Sequence, residues 1–148
     1  MGFAQKAVAI VILIALTLWL QCAGMGVLIY WTKTFIERST KKLSPWYSAV
    51  LIVRFAAAMI VLHVLEILVW SCFYRWACLS SWEASFYFSA ASYSTVGYGD
   101  VLLPQLWRIL GPVEGLTGVL MCGMSVSGLF AILTRILAAE ASPPVATA

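Results

Sequence analysis

Three apolar runs, at about residues 7–31, 46–74 and 106–137, leave this chain little choice of fold. Each is longer than the roughly 20 residues a helix needs to cross the hydrocarbon core of a bilayer. With 63% hydrophobic and 10% charged residues among 148, a water-soluble domain could not hide so much apolar surface. The chain therefore reads as an all-α integral membrane protein with three transmembrane helices. A fourth apolar stretch, 82–93, is too short to span. A re-entrant helix shielded from lipid by the other three is expected there.

The cationic residues set an orientation. Lys33, Arg38, Lys41 and Lys42 crowd the connection after the first run, while Lys6 and Arg75 stand nearly alone on the other side. Positive charge is retained on the cytoplasmic face, so that loop is expected inside the cell membrane, the N-terminus outside and the C-terminus, past Arg135, cytoplasmic. Residues 1–24 also admit reading as a signal peptide. Against that, the apolar run continues past Cys22 to Trp31 without a small-residue cleavage pattern, and the basic cluster follows the run instead of preceding it. A net charge of +3 with no basic aromatic platform gives no reason to expect a nucleic-acid partner.

Between the second and third runs stands Thr95-Val96-Gly97-Tyr98-Gly99-Asp100. An ordinary strand points alternate carbonyls in opposite directions. Gly97 and Gly99, having no Cβ, can adopt the positive φ that turns successive carbonyls toward one side. TVGYG is the established potassium-filter sequence, so the ion assignment rests on likeness and not on derivation. Over about residues 46–137 the chain resembles the potassium channel superfamily, specifically the small prokaryotic-type channels that build one filter from four identical subunits. The extra N-terminal helix departs from the simplest two-span members.

The resemblance implies a homotetramer around a central pore, with potassium ions held by the carbonyls of Thr95, Val96, Gly97 and Tyr98. It divides the chain into an N-terminal span and basic loop (1–45), a pore domain (46–137) and a short tail (138–148) expected to be disordered. The pore domain holds the pore helix 82–93 and the filter 95–100. Gly99 and Asp100 support the filter, and Val96 and Tyr98 point away from the ion path. Members of the family often carry a tryptophan pair early in the pore helix that braces the filter's Asp. Tyr87-Phe88 stand there in this chain, so the Tyr87 hydroxyl is the expected brace to Asp100. Some members place a carboxylate four residues before the Thr; Ala91 occupies that position. Ser80 and Glu83 match a capping box, with a helix start near Ser81. In the last span, Gly118 aligns with the family's hinge position, a helix contact being the alternative. Pro112 implies a bend or helix start nearby.

Ionisable residues inside a membrane are costly and usually partnered. His63 and Glu66 lie three apart on one helical face, and Glu114 falls at similar depth on the third span. A His63, Glu66 and Glu114 cluster behind the filter is expected. One histidine cannot neutralise two buried carboxylates, so at least one carboxyl is expected to shift toward its neutral form unless Arg108 joins as a fourth member. The cluster reads either as a static clamp between helices or as a coupling of pH to gating. Arg54 is expected to reach the headgroups along its stem.

Cys22, Cys72, Cys78 and Cys122 form no metal pattern, but Cys72 and Cys78 sit in or beside the expected outer loop, where an oxidising compartment would permit a disulfide within or between subunits. Ser89, Ser92 and Ser94 have no neighbouring base, and no enzymatic activity is expected. No span carries a voltage sensor's repeated arginines, and the stretch after Arg135 is too short for a soluble regulatory domain. The leading expectation is a passive potassium-selective channel. The alternatives are a weakly selective cation channel and a non-conducting subunit that co-assembles with another channel.

Overall fold

A computed structural model describes residues 3–38 and 45–141. Lys41 and Lys42 of the basic loop, and tail residues 142–148, lie outside the described residues. Four helices follow one another: α1 (Phe3–Arg38), α2 (Pro45–Ala77), α3 (Trp82–Tyr93) and α4 (Leu110–Ala141). Three of them, over Ala4–Phe35, Trp46–Ala77 and Leu110–Ala138, are long and apolar enough to cross a membrane.

The short helix occupies 82–93 as expected, but its cap is one residue later than the capping box implies. Ser81, with extended φ −121 and ψ 146, accepts the Ala84 amide on its hydroxyl. Glu83 is then the second helical residue, one short of the position from which a box side chain reaches back. At the other end of the connection, α4 starts at Leu110 and not at 106, because residues 105–109 form turns. Pro112 stands in the first helical turn, where its missing N–H costs nothing. The expected irregularity near Pro112 is thus a helix start. At its far end α4 continues to Ala141, beyond the expected limit of 137.

Helix α1 packs against both α2 and α4. Gly24 admits the Leu62 side chain, with only 2.7 Å between a Cβ built there and Leu62 Cδ1, and Gly128 of α4 admits Met25 at 3.0 Å. Two apolar clusters hold the bundle. One gathers Leu13, Trp70, Tyr74, Leu103, Trp107 and Leu110. The other gathers Leu51, Phe55, Met59, Leu62, Ile132 and Ile136. Along each long helix a belt of polar residues separates the two: Thr17 and Gln21 on α1, His63 and Glu66 on α2, Glu114 and Ser125 on α4.

A seam of glycines lets α4 approach α3. A Cβ on Gly111 would come within 3.2 Å of the Phe88 ring, and one on Gly115 within 3.1 Å of the Ser92 carbonyl. One on Gly118 would collide with the Tyr93 carbonyl. These positions are four and three apart, hence one face of the helix. Helix α4 runs unbroken across Gly118, and this close approach by itself accounts for a glycine there.

Candidate functional site

The Thr95–Asp100 segment leaves the C-terminal end of α3. Among the described residues, positive φ occurs at Thr95 (61), Gly97 (51) and Gly99 (79), alternating with Val96 and Tyr98. The glycines adopt this region freely; for Thr95, a β-branched residue, it is an outlier that the surroundings must enforce. Two amides hold the segment to α3: Thr95 N–H donates to the Ser92 carbonyl and Gly97 N–H to the Ala91 carbonyl, both at 3.0 Å. Ala91, where some family members carry a carboxylate, thus contributes its backbone oxygen.

Tyr87 donates its hydroxyl to Asp100 Oδ2 at 2.9 Å. Its ring also stacks on Tyr98, with centroids 6.4 Å apart and planes 13° from parallel. The hydrogen bond to Asp100 raises the Tyr87 hydroxyl above its ordinary value, which keeps it a donor through the neutral range. The adjacent Phe88 packs edge-on against Tyr74. Val96 and Tyr98 are exposed in the single chain, beside a groove of about 660 Å³ that runs from Thr95 and Gly97 to Gly115 and Leu116.

Behind α3 the ionisable residues form two networks instead of one cluster. In the first, His63 Nδ1 lies 3.2 Å from Glu66 Oε2 and 2.8 Å from the Tyr93 hydroxyl, which itself donates to Glu66 Oε2. His63 Nε2 meets Ser125 Oγ at 3.0 Å, and Ser125 receives the Gln21 amide at 2.8 Å. In the second, Glu114 accepts the Tyr74 hydroxyl at 2.8 Å and the Ser89 hydroxyl at 2.5 Å. Ser89 also faces the Ile67 carbonyl at 2.9 Å. Ser89 and Tyr93 are one turn apart on α3, and that turn places Glu114 and Glu66 against different partners.

Arg108 joins neither network. It is exposed and borders the groove beside Asp100. The turns at 105–109 hold it above the start of α4, away from the buried carboxylates. Arg54, expected to run to the headgroups, lies over the Trp31 ring of α1 at 5.6 Å. All four cysteines are free, so no bridge joins Cys72 to Cys78 within the chain. Burial pushes the Cys78 thiol up to about 11, which disfavours its reactive thiolate.

Four residues that the sequence reading passed over, Gln21, Tyr74, Tyr93 and Ser125, complete these networks together with Ser89, which it considered only as a serine without a base. A signal for two of them was present, because Ser85, Ser89 and Tyr93 recur every four residues and form the buried face of α3. Thr17 and Gln21 repeat the spacing on α1, where Thr17 accepts the Trp70 indole N–H at 3.0 Å.

A short helix held between long apolar ones, followed by a glycine segment with alternating φ, defines the class of protein. Residues 49–135, more than half of the chain, match the family model described as an ion channel, and the chain belongs to that family. No curated protein and no solved structure matches it. It is a membrane-embedded ion channel protein built from helices.

Proposed function

We propose that the chain is one subunit of a passive, potassium-selective channel in which four copies surround a single axis. The observation that carries this reading is the backbone of the Thr95–Asp100 segment. In a planar trans peptide the N–H and the preceding C=O point in opposite directions. The Thr95 and Gly97 amides turn toward α3, so the carbonyls of Ser94 and Val96 turn away from it. Positive φ at Thr95, Gly97 and Gly99 supports a column of oxygens that replaces the hydration shell of a potassium ion. The carbonyls of Thr95, Val96, Gly97 and Tyr98 form that column, with the Thr95 hydroxyl at its inner end.

One strand lends only a quarter of each oxygen ring. Exposure of Val96, Tyr98 and Leu116 along the groove fits a neighbouring copy seated there. In this arrangement α3 is a re-entrant pore helix whose negative end faces the cavity. The Ala91 and Ser92 carbonyls are already occupied, which keeps its effect on a cation toward the lower part of about 0.3–1 kcal/mol per helix. Tyr87 braces the filter through Asp100. The excess of basic residues after α1 supports a cell membrane location with the filter outward and the C-terminus cytoplasmic.

Potassium flux into liposomes carrying the purified chain tests the reading. Gly97→Ala, which forces a side chain into φ +51, is expected to abolish flux, and unchanged flux would place the path elsewhere. Equal reversal potentials in potassium and sodium would replace the selective channel with a weakly selective one. No flux from the pure chain would favour a subunit that conducts only in mixed assemblies.

A further inference from the structure

Five hydrogen-bonding side chains from four helices form one directed chain, and donor counting fixes its direction. The Met121 carbonyl can only accept, and Gln21 faces it at 3.1 Å, so the Gln21 amide nitrogen points that way. The second hydrogen on that nitrogen goes to Ser125 Oγ. Thr117 and Ser127 on the same helix return their hydroxyls to the carbonyl four residues back. Ser125 instead turns sideways to His63 Nε2. Among the described contacts Nε2 is the one acceptor within reach of the single Ser125 hydrogen, so Ser125 donates and Nε2 accepts. The imidazole hydrogen therefore sits on Nδ1, where it donates toward the Tyr93 hydroxyl, and Tyr93 passes its own hydrogen to Glu66. Gln21 donates twice at the head of the chain, Ser125, His63 and Tyr93 each accept and donate along it, and Glu66 accepts at its end.

We infer that Gln21 of α1 is a positioning residue: through Ser125 it fixes the Nδ1–H tautomer of His63, and thereby the hydrogen bond on Tyr93 at the base of the Thr95–Asp100 segment. The first span is then part of the filter's support, although it lies outside the matched channel region of 49–135. A second proton on His63 would reverse the chain. Nε2–H would need Ser125 as acceptor, and the Ser125 hydrogen would have to leave for another carbonyl. Around this imidazole, α2 contributes Glu66, α3 contributes Tyr93, and α1 contributes the neutral Gln21. From α4 come Ser125 in contact and, acting on the Tyr93 hydroxyl, Cys122 and Glu114.

The effect on the filter rests on the channel reading above; the tautomer does not. His63 is the single histidine of the chain, so nitrogen-15 spectra of histidine-labelled protein report it alone. At about pH 8, where an ordinary imidazole is neutral, the wild type is expected in the Nδ1–H form. Gln21→Met keeps the volume and removes the donor. The ratio of Nδ1–H to Nε2–H is then expected to fall roughly 2- to 10-fold, the worth of one hydrogen bond. Ser125→Ala should do the same, and Ser125→Thr, which keeps the hydroxyl, should restore the wild-type ratio. Unchanged tautomer populations in Gln21→Met and Ser125→Ala would overturn the relay.

Potassium flux reads the consequence. It should change in Gln21→Met and Ser125→Ala and return toward the wild-type level in Ser125→Thr. A changed tautomer with unchanged flux would overturn the link to the filter. Absence of wild-type flux would overturn the channel reading, while the tautomer ratio would still decide the role of Gln21.

Discussion

Tyr87, in the middle of α3, and Asp100, the last residue of the Thr95–Asp100 segment, are joined by a 2.9 Å hydrogen bond that the tyrosine donates. Because Tyr98 stacks on the same ring, Tyr87 restrains the C-terminal part of the segment by two independent contacts.

Tyr87→Phe keeps the stack and deletes the donor. It is expected to preserve folding and to shorten the time for which potassium flux is sustained, most clearly at low potassium. The bond raises the tyrosine hydroxyl above its ordinary value, so its contribution is complete below about pH 10 and is lost as pH rises through the raised value. The difference between wild type and Tyr87→Phe should therefore vanish in strongly alkaline solution. Sustained-flux recordings at neutral and alkaline pH check both statements, and identical decay at neutral pH would remove the brace.

The buried Tyr74–Glu114 contact offers a measurable coupling. Glu114→Leu leaves the Tyr74 hydroxyl without an acceptor, while Ser89 keeps the Ile67 carbonyl. The expected cost is roughly 1–3 kcal/mol from one orphaned donor. A double-mutant cycle with Tyr74→Phe should return about 0.6–1.7 kcal/mol, the range for hydrogen bonds between membrane helices. Unfolding in detergent measures it, and a coupling indistinguishable from zero would show that the contact does not hold α2 to α4.

At Gly118, packing and hinge make different forecasts. Gly118→Ala drives a Cβ into the Tyr93 carbonyl, a backbone atom that cannot step aside, and is expected to destabilise by about 1–3 kcal/mol. Gly26→Ala meets nothing within 4 Å and should be neutral or stabilise by up to about 1 kcal/mol. Thermal unfolding separates them. A Gly118→Ala protein of wild-type stability with slowed opening would return Gly118 to the hinge role.

Thr17 ties α1 to α2 by accepting the Trp70 indole N–H, while its own hydroxyl bonds the Leu13 carbonyl. Thr17→Val keeps the shape and leaves a buried indole donor unmatched. A loss of roughly 1–3 kcal/mol is expected, together with faster proteolysis in the connection after α1. If α1 were cleaved from the mature protein, this substitution would change nothing, and intact mass would show the shorter chain.

The three spans, the short helix and the special glycines were legible in the residues because each is a local property. Apolar length, residue spacing and a missing Cβ declare themselves without a partner. Tyr87 was also legible, through the family resemblance that puts a hydrogen-bonding ring at that position of the short helix to brace Asp100. The polar belt was legible only in part. His63 and Glu66 share one helix and one face, and their meeting needs no knowledge of a neighbour. Glu114 was assigned by depth and Arg108 by charge balance, and neither says which turn of α3 stands between two groups.

The chain's membrane character, the boundaries of α3 and the positive-φ glycines of the Thr95–Asp100 segment follow from the sequence itself, because hydrophobic length and backbone freedom act within a few residues. Only the tertiary structure decided that Tyr93 faces Glu66 while Ser89 faces Glu114, that Arg108 stands outside, and that Gln21 reaches Ser125. Those outcomes depend on the rotation of each helix about its own axis. That rotation is set by where Gly24, Gly118 and Gly128 let backbones and side chains close in, a condition that exists only once the helices are packed.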